Sequence, residues 1–416
     1  MPLYFMPILG DLPMKKNHLV IAFALTAILI DTMGVGLIFP LLPDLFLSAH
    51  SPILSAGLSH TMREFLYGVS IACWAGGIFF GAPFLGELSD RYGRKWVLTL
   101  SLAMVALSYF FSWGSLFVGS GFLFLLSRLI NGFFSSSFPL AQAIIIDASS
   151  ESERARNLGW VVLAASIGFL FGPLLGAMAY AIVGAAHGPE WTFFSAALLS
   201  FCNTLGIYFW LGETDQVRSH RPINLLSVVT TCRFVFIDPR VRVLTLLFLL
   251  LQIAWGIYIQ AIPVVLSEKF QQAPEAVSLF YAVIGSGFLV MTLWIQPRLF
   301  KHFKVEHLCI VSLALQALIM GVVLCAKTIQ VEWIMAFLLS MVEGLCYTGM
   351  TMLFSNAVNN DEQGRVMGGA GAIFGLVWAL LGLSLGAILH VGLLVPIMIA
   401  LVALSVNTLL FFGWRR

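Results

Sequence analysis

The chain alternates long apolar runs with short polar stretches, and no run shows a sustained period of two. The runs fall at 19–42, 63–85, 96–113, 116–147, 157–183, 191–211, 241–265, 276–297, 306–326, 331–358, 365–389 and 392–412. An α-helix needs about 20 mainly apolar residues to cross a bilayer. The pattern therefore predicts an all-α integral membrane protein with twelve transmembrane helices. The runs are too long, and alternate too little, for the strands of a membrane barrel.

Basic residues orient these spans. With a cytoplasmic N-terminus, 18 of the 22 Lys and Arg residues fall on the inner side. Only Arg63, Lys269 and Lys327 fall outside, and Arg128 alone is left within the membrane. This asymmetry predicts an even number of spans with both termini cytoplasmic. Residues 1–18 read as an N-terminal cytoplasmic segment, in which 1–13 precede an alternative start at Met14 or form a tag or tail. No cleavable signal is expected, because no short apolar core with a small-residue cleavage site follows Lys15 and Lys16. The longest polar stretch divides the chain into six-helix bundles at 19–212 and 241–412, joined by a central loop at 213–240 and followed by a tail at 413–416. Within the loop, 223–237 predicts a short interfacial helix ended by Asp238-Pro239. Pro40, Ser101-Leu102-Ala103 and Leu125-Leu126-Ser127 have counterparts at Pro263, Ser312-Leu313-Ala314 and Leu338-Leu339-Ser340. Their common order and nearly constant spacing predict two repeats related by an axis along the membrane normal.

Composition narrows the class. The chain has 416 residues, 60% hydrophobic and only 10% charged, too little polar surface for a soluble enzyme or a nucleic-acid binder. Six cysteines without a CxxC pair predict neither a disulfide framework nor a metal site, and no cofactor is expected.

Four stretches carry a family resemblance. The loop after the second span reads Gly86-Glu87-Leu88-Ser89-Asp90-Arg91-Tyr92-Gly93-Arg94-Lys95. Gly86 and Gly93 predict a tight turn; Asp90 is an anion expected at a nearby helix N-terminus, and Arg91 and Arg94 hold the inner face. The run strongly resembles the G-x-L-x-D-R-x-G-R-R/K signature of the major facilitator superfamily. The resemblance implies a latch that joins the halves when the transporter faces outward, the plainer alternative being a topology anchor. Arg128-Leu129-Ile130-Asn131-Gly132 resembles the family's R-x-x-x-G motif in the fourth span. Gly168, Gly172, Pro173 and Gly176 resemble its fifth-span G-x-x-x-G-P-x-x-G-G motif, with Ala177 at the last glycine. That motif is found mainly in the drug/proton antiporter branch. The run from Asp31 to Pro43 resembles the first span of the same branch, and of tetracycline exporters in particular.

Intramembrane charges are the candidate chemistry. A charge at the bilayer centre costs about 2.5–3.5 kcal/mol on the insertion scale, and such residues generally face the bundle interior. Asp31 reads either as a proton or cation carrier or as a structural hydrogen-bonding group. Arg128 needs a counter-charge or a water-filled cavity, and Asp31 and Asp147 are its nearest candidates by topology. Asn131, Ser135, Pro139 and Gln142 follow Arg128 in one helical stripe, placing Gln142 about 21 Å away. Glu343 matches no shared family motif, so it reads as a proton carrier, a counter-charge for a cationic substrate, or a neutral structural acid. Gln252, Gly256 and Gln260 share a face of the seventh span; Trp74, Trp255, Tyr258, Tyr347 and Trp378 are candidates to line an aromatic cavity.

The expected function is secondary active transport by alternating access: proton-coupled efflux of a small drug-like or lipophilic molecule from a bacterial inner membrane, by a monomer. The alternative is a carrier for a natural metabolite such as a siderophore or amino acid, in either direction. A channel, a receptor or a membrane enzyme fits less well, since the sequence has no selectivity filter, no phosphate-binding loop and no hydrolase motif.

Overall fold

The computed structural model describes residues 16–135, 137–149, 151–184, 187–211 and 227–414. Eleven helices among the described residues are long and apolar enough to cross a membrane. The first span runs Lys16–Ile38 and continues through a tight 3-10 turn at Phe39–Leu41 into Leu42–Phe46. The second and third are His60–Tyr92 and Arg94–Val118; the fifth and sixth are Glu151–Val183 and Gly188–Trp210. After the linker helix Ser227–Ile237, spans seven to twelve begin at Arg242, Pro274, Val305, Ile329, Asn360 and Val395.

The predicted run 116–147 is corrected in two ways. Residues 116–118 close the third span, which turns at Gly119 in the left-handed region (φ 66°). The fourth span is then two shorter helices, Gly121–Phe134 and Ser137–Ala148, rather than one. Proline lacks a backbone N–H and crowds the carbonyl four residues before it. For Pro139 that residue is Ser135, where the backbone leaves the helix (φ −73°, ψ 50°). A similar cause applies in the eighth span. Pro297 cannot bond to Leu293, and the helix widens into a π-turn at Met291–Ile295. The turn after the second span also differs from expectation. The helix runs on through Gly86 to Tyr92, so Gly93 alone makes the turn, at φ 106°.

Helices before residue 212 mostly meet one another, as do those after residue 241. First packs on fifth, second on fourth, and third on sixth; seventh packs on eleventh, eighth on tenth, and ninth on twelfth. Two seams join the sets: second against eleventh, and fifth against eighth. Small residues allow the close contacts, as expected of membrane helices. A side chain at Gly172 would lie 2.1 Å from the Met33 carbonyl, and one at Gly168 would lie 2.3 Å from the Leu29 carbonyl. The fifth-span motif thus packs chiefly on the first span, while Gly285 of the eighth span meets the Leu170 backbone and Gly287 turns to Ser340 of the tenth. Across the other seam, Gly382 meets Gly68 and Ala72, and Gly386 meets Phe65.

These seam contacts lie toward the end opposite the described chain termini. There the Tyr67 hydroxyl donates to the Gln260 carbonyl, and His60 Nε2 stands 3.4 Å from Glu268. Arg63, only 4% exposed, ties down the adjoining loop by donating to the carbonyls of Ser48, Ser55 and Leu58.

At the other end Arg240 bridges Asp238 and Glu362, with Nη contacts of 2.8 Å to each. Its guanidinium holds the Asp238 carboxyl down to about 2, and lowers Glu362 below the usual carboxylate range. A depressed carboxylate stabilises the fold above its unfolded pKa and loses that contribution as pH falls through the folded value. Spin-label distances between the linker helix and the start of the eleventh span should therefore hold from neutral pH to about 4, then broaden toward about 2. Separately, Gly172→Val should destabilise the protein by at least about 1–3 kcal/mol, read as a lower unfolding midpoint in detergent. Gly159→Val, in open space, should leave the midpoint unchanged.

Candidate functional site

Second and fourth spans touch backbone to backbone. A side chain on Gly132 would overlap the Trp74 carbonyl, and those on Gly77 and Gly81 would strike the Phe133 backbone. This closeness sets Arg128 against Trp74, with the guanidinium carbon 5.8 Å from the ring centroid. Arg128 is 2% exposed and its Nε has no hydrogen-bond partner among the described residues. Among the described residues it forms no ion pair, so the expected direct pairing with Asp31 is not found, and the Asp147 side chain lies outside the described residues. Tyr109, near both residues, is the polar group that the fold sets beside them instead. Its hydroxyl is within electrostatic reach of Arg128 and Asp31 and lies near the Asn131 amide. Gly34 makes room, since a side chain there would fall 1.9 Å from the hydroxyl.

Asn131 donates to Ser108 at 2.9 Å, and Ser112 meets Ser127 at 2.7 Å. These bonds brace the fourth span on the third. The polar stripe expected to continue smoothly to Gln142 is interrupted at the Ser135 break, although Gln142 itself is half-buried.

Aromatic rings close the site toward the second set of helices. Trp378 lies 4.7 Å from Phe374, 5.9 Å from Phe39 and 6.2 Å from Trp74. The seventh-span face meets this cluster as its spacing predicts. Gly256 leaves room for the Trp378 indole, and Gln260 donates to the Trp378 carbonyl at 3.2 Å. Gln252 Nε2, Gln260 Oε1 and Trp378 Nε1 are buried without partners among the described residues. A buried polar atom left unbonded costs about 1–3 kcal/mol, so these groups are available to a ligand or to water. Trp255 stands apart, against Phe288 at 5.6 Å, and Tyr347 is exposed beside Phe248.

Two further acids lie in the second set. Glu343 is 2% exposed with Oε2 unpartnered, next to Cys346 and Tyr347 on its own helix. Glu332, which the sequence reading passed over, is 1% exposed and equally unpartnered at Oε2. It faces Tyr258, whose buried hydroxyl also lacks a bond, and feels Lys269. Its place in the first turn of the tenth span hid it, because an acid there also reads as a favourable helix start. Of the residues expected to form a latch, Asp90 and Arg91 are exposed, and Asp90 makes no hydrogen bond or ion pair with a described residue. Arg94 is half-buried at the start of the third span.

The profile described as Major Facilitator Superfamily matches residues 24–383. A class C tetracycline resistance protein of Escherichia coli is 29% identical over 87% of this chain and 87% of its own length. The class B protein of the same organism is 34% identical, over 47% of this chain and 45% of its own length. Among solved structures, the human organic anion transporter MFSD10 superposes with TM-score 0.72 at 20% identity, covering 96% of this chain and 100% of that one. The D-xylose-proton symporter gives 0.70 at 17%, covering 94% and 97%. At such identities the two structures establish the fold alone.

The geometry makes a fluorescence prediction. A ligand seated on the Arg128 face should quench Trp74 and Trp378, and the W74F/W378F double variant should lose most of that quenching. Undiminished quenching in the double variant would place the ligand elsewhere.

Proposed function

The chain belongs to the major facilitator superfamily, and from that premise we propose that it exports a small drug-like or lipophilic molecule in exchange for protons. The observation that carries the reading is the buried Arg128 on the Trp74 face, with unpartnered polar groups of the second helix set on the adjoining Trp378 side. A flat aromatic ligand would stack on Trp74 and Trp378, while its acidic or carbonyl groups accept from Arg128, Gln252 and the Trp378 indole. A lipophilic body with a few polar acceptors is the chemistry that such a lining recognises. The tetracycline resistance proteins similar to this chain support the choice of export.

Asp31 and Glu343 are the proton carriers in this scheme. Each exchanges a fixed charge for a neutral acid on protonation, and that difference couples a proton to a conformational change. Protonation from outside releases the ligand outward. The two six-helix sets then rock about the seams, and the protons leave inside. The contacts at the end opposite the termini, together with the exposed Asp90, suit a state open to the cytoplasm. In the outward state Asp90 and Arg94 would reach the second half. The excess of Lys and Arg in the loops on the side of the termini supports placing that side in the cytoplasm. The proposed setting is a bacterial inner membrane and the working unit a monomer.

A second reading has its own observation in favour. Arg128 is a permanent cation without a described counter-ion, so a natural carboxylate-bearing metabolite is the alternative cargo.

Proteoliposomes with an imposed pH gradient test the coupling. Asp31→Asn and Glu343→Gln should each lower gradient-driven transport by about tenfold or more while substrate still binds. Full transport in both variants would exclude these acids as carriers. Expression in a drug-sensitive bacterium should reduce tetracycline accumulation, whereas raised accumulation of a test solute would indicate import.

A further inference from the structure

The linker helix Ser227–Ile237 and the start of the eleventh span enclose a groove away from the central site. Its walls are Thr230, Arg233, Phe234, Ile237, Asp238 and Arg365, around a volume of about 450 Å³. The helix buries Val228 and Val235 and leaves Val229, Phe236 and Ile237 more than half or nearly half exposed. Apolar groups in that arrangement suit a helix lying at a membrane surface.

Among the described residues, charge in the groove is one-sided once the ion pairs are counted. Asp238 and Glu362 are both engaged by Arg240. Arg233 is exposed and has no partner among the described residues. Arg365 stacks on Phe234 at 4.2 Å, and its only hydrogen bond among the described residues is a long one of 3.4 Å to the Thr230 carbonyl. Stacking holds the guanidinium plane while leaving its edge donors for an anion. Two guanidiniums therefore border a groove whose outer rim is apolar, beside Arg365 at the start of an apolar span.

We propose that this groove binds the headgroup of an anionic phospholipid, with Arg233 and Arg365 on the phosphate and the acyl chains along Val229, Phe236 and Ile237. Basic residues at a membrane surface contribute about 1 kcal/mol each toward anionic lipid. A bound lipid would fasten the linker helix to the eleventh span, one of the two helices of a seam between the halves. The assignment does not depend on what the protein carries.

Native mass spectrometry of the full chain, titrated with phosphatidylglycerol or phosphatidylcholine, tests it. One phosphatidylglycerol should bind in preference to phosphatidylcholine. R233Q/R365Q should weaken that binding on the order of tenfold, while K301Q/K304Q, with the same loss of charge at the same end, should leave it intact. Should the double variant fail to fold, R233Q alone serves, because its side chain is exposed, and a several-fold loss is expected. Equal loss in R233Q/R365Q and K301Q/K304Q would reduce the effect to diffuse surface charge and overturn the site. Equal binding of both lipids would overturn it too. So would full competition by inorganic phosphate, which would mark a soluble-anion site instead.

Discussion

A guanidinium cannot shed its proton, and the interior of a membrane protein does not hold one without compensation. Arg128 imposes that constraint here. Cation–π contact with Trp74 supplies about 0.5–2 kcal/mol, less than the insertion cost of about 2.5–3.5 kcal/mol. The remainder must come from the Tyr109 hydroxyl nearby, from water or from a ligand. Much of the first-half packing serves to hold this arrangement. Gly132 brings the fourth span onto the Trp74 backbone, Gly34 admits Tyr109, and the Ser108–Asn131 bond sets the rotation of the helix.

The same interaction links site to motion. Trp74 sits on the second span and Trp378 on the eleventh, so the aromatic cluster straddles a seam between the helix sets. A molecule inserted between Arg128 and those rings would change the contacts that join the sets. Ligand occupancy and conformation would then be coupled through the differential contacts that each state makes. Glu343 and Glu332 lie in the second set, Asp31 and Arg128 in the first. In the proposed exchange, protonation of an acid in either set would alter what the seams have to hold.

Much of this was legible in the sequence. Apolar runs located the spans, because a bilayer demands length and internal hydrogen bonding of any helix that crosses it. The seventh-span face of Gln252, Gly256 and Gln260 was visible from its spacing and does meet Trp378. Other features were hidden for identifiable reasons. Pro139 was in view, yet whether a proline kinks a helix or divides it depends on what neighbours supply to the freed carbonyl. Tyr109 was indistinguishable from an ordinary aromatic of the third span, since its role arises from Gly34 on a different helix. Glu332 was masked by a competing explanation, and Gly86 by a motif that places glycines without saying which one turns.

The exchange of substrate for protons is the core of this account. Its most direct measurement is proton release on ligand binding, followed with a pH-sensitive dye in weakly buffered detergent solution and without any membrane gradient. Adding substrate to the purified protein should acidify the medium, and Glu343→Gln or Asp31→Asn should diminish the release. Saturable binding with no proton released, at any pH across the neutral range, would contradict the exchange.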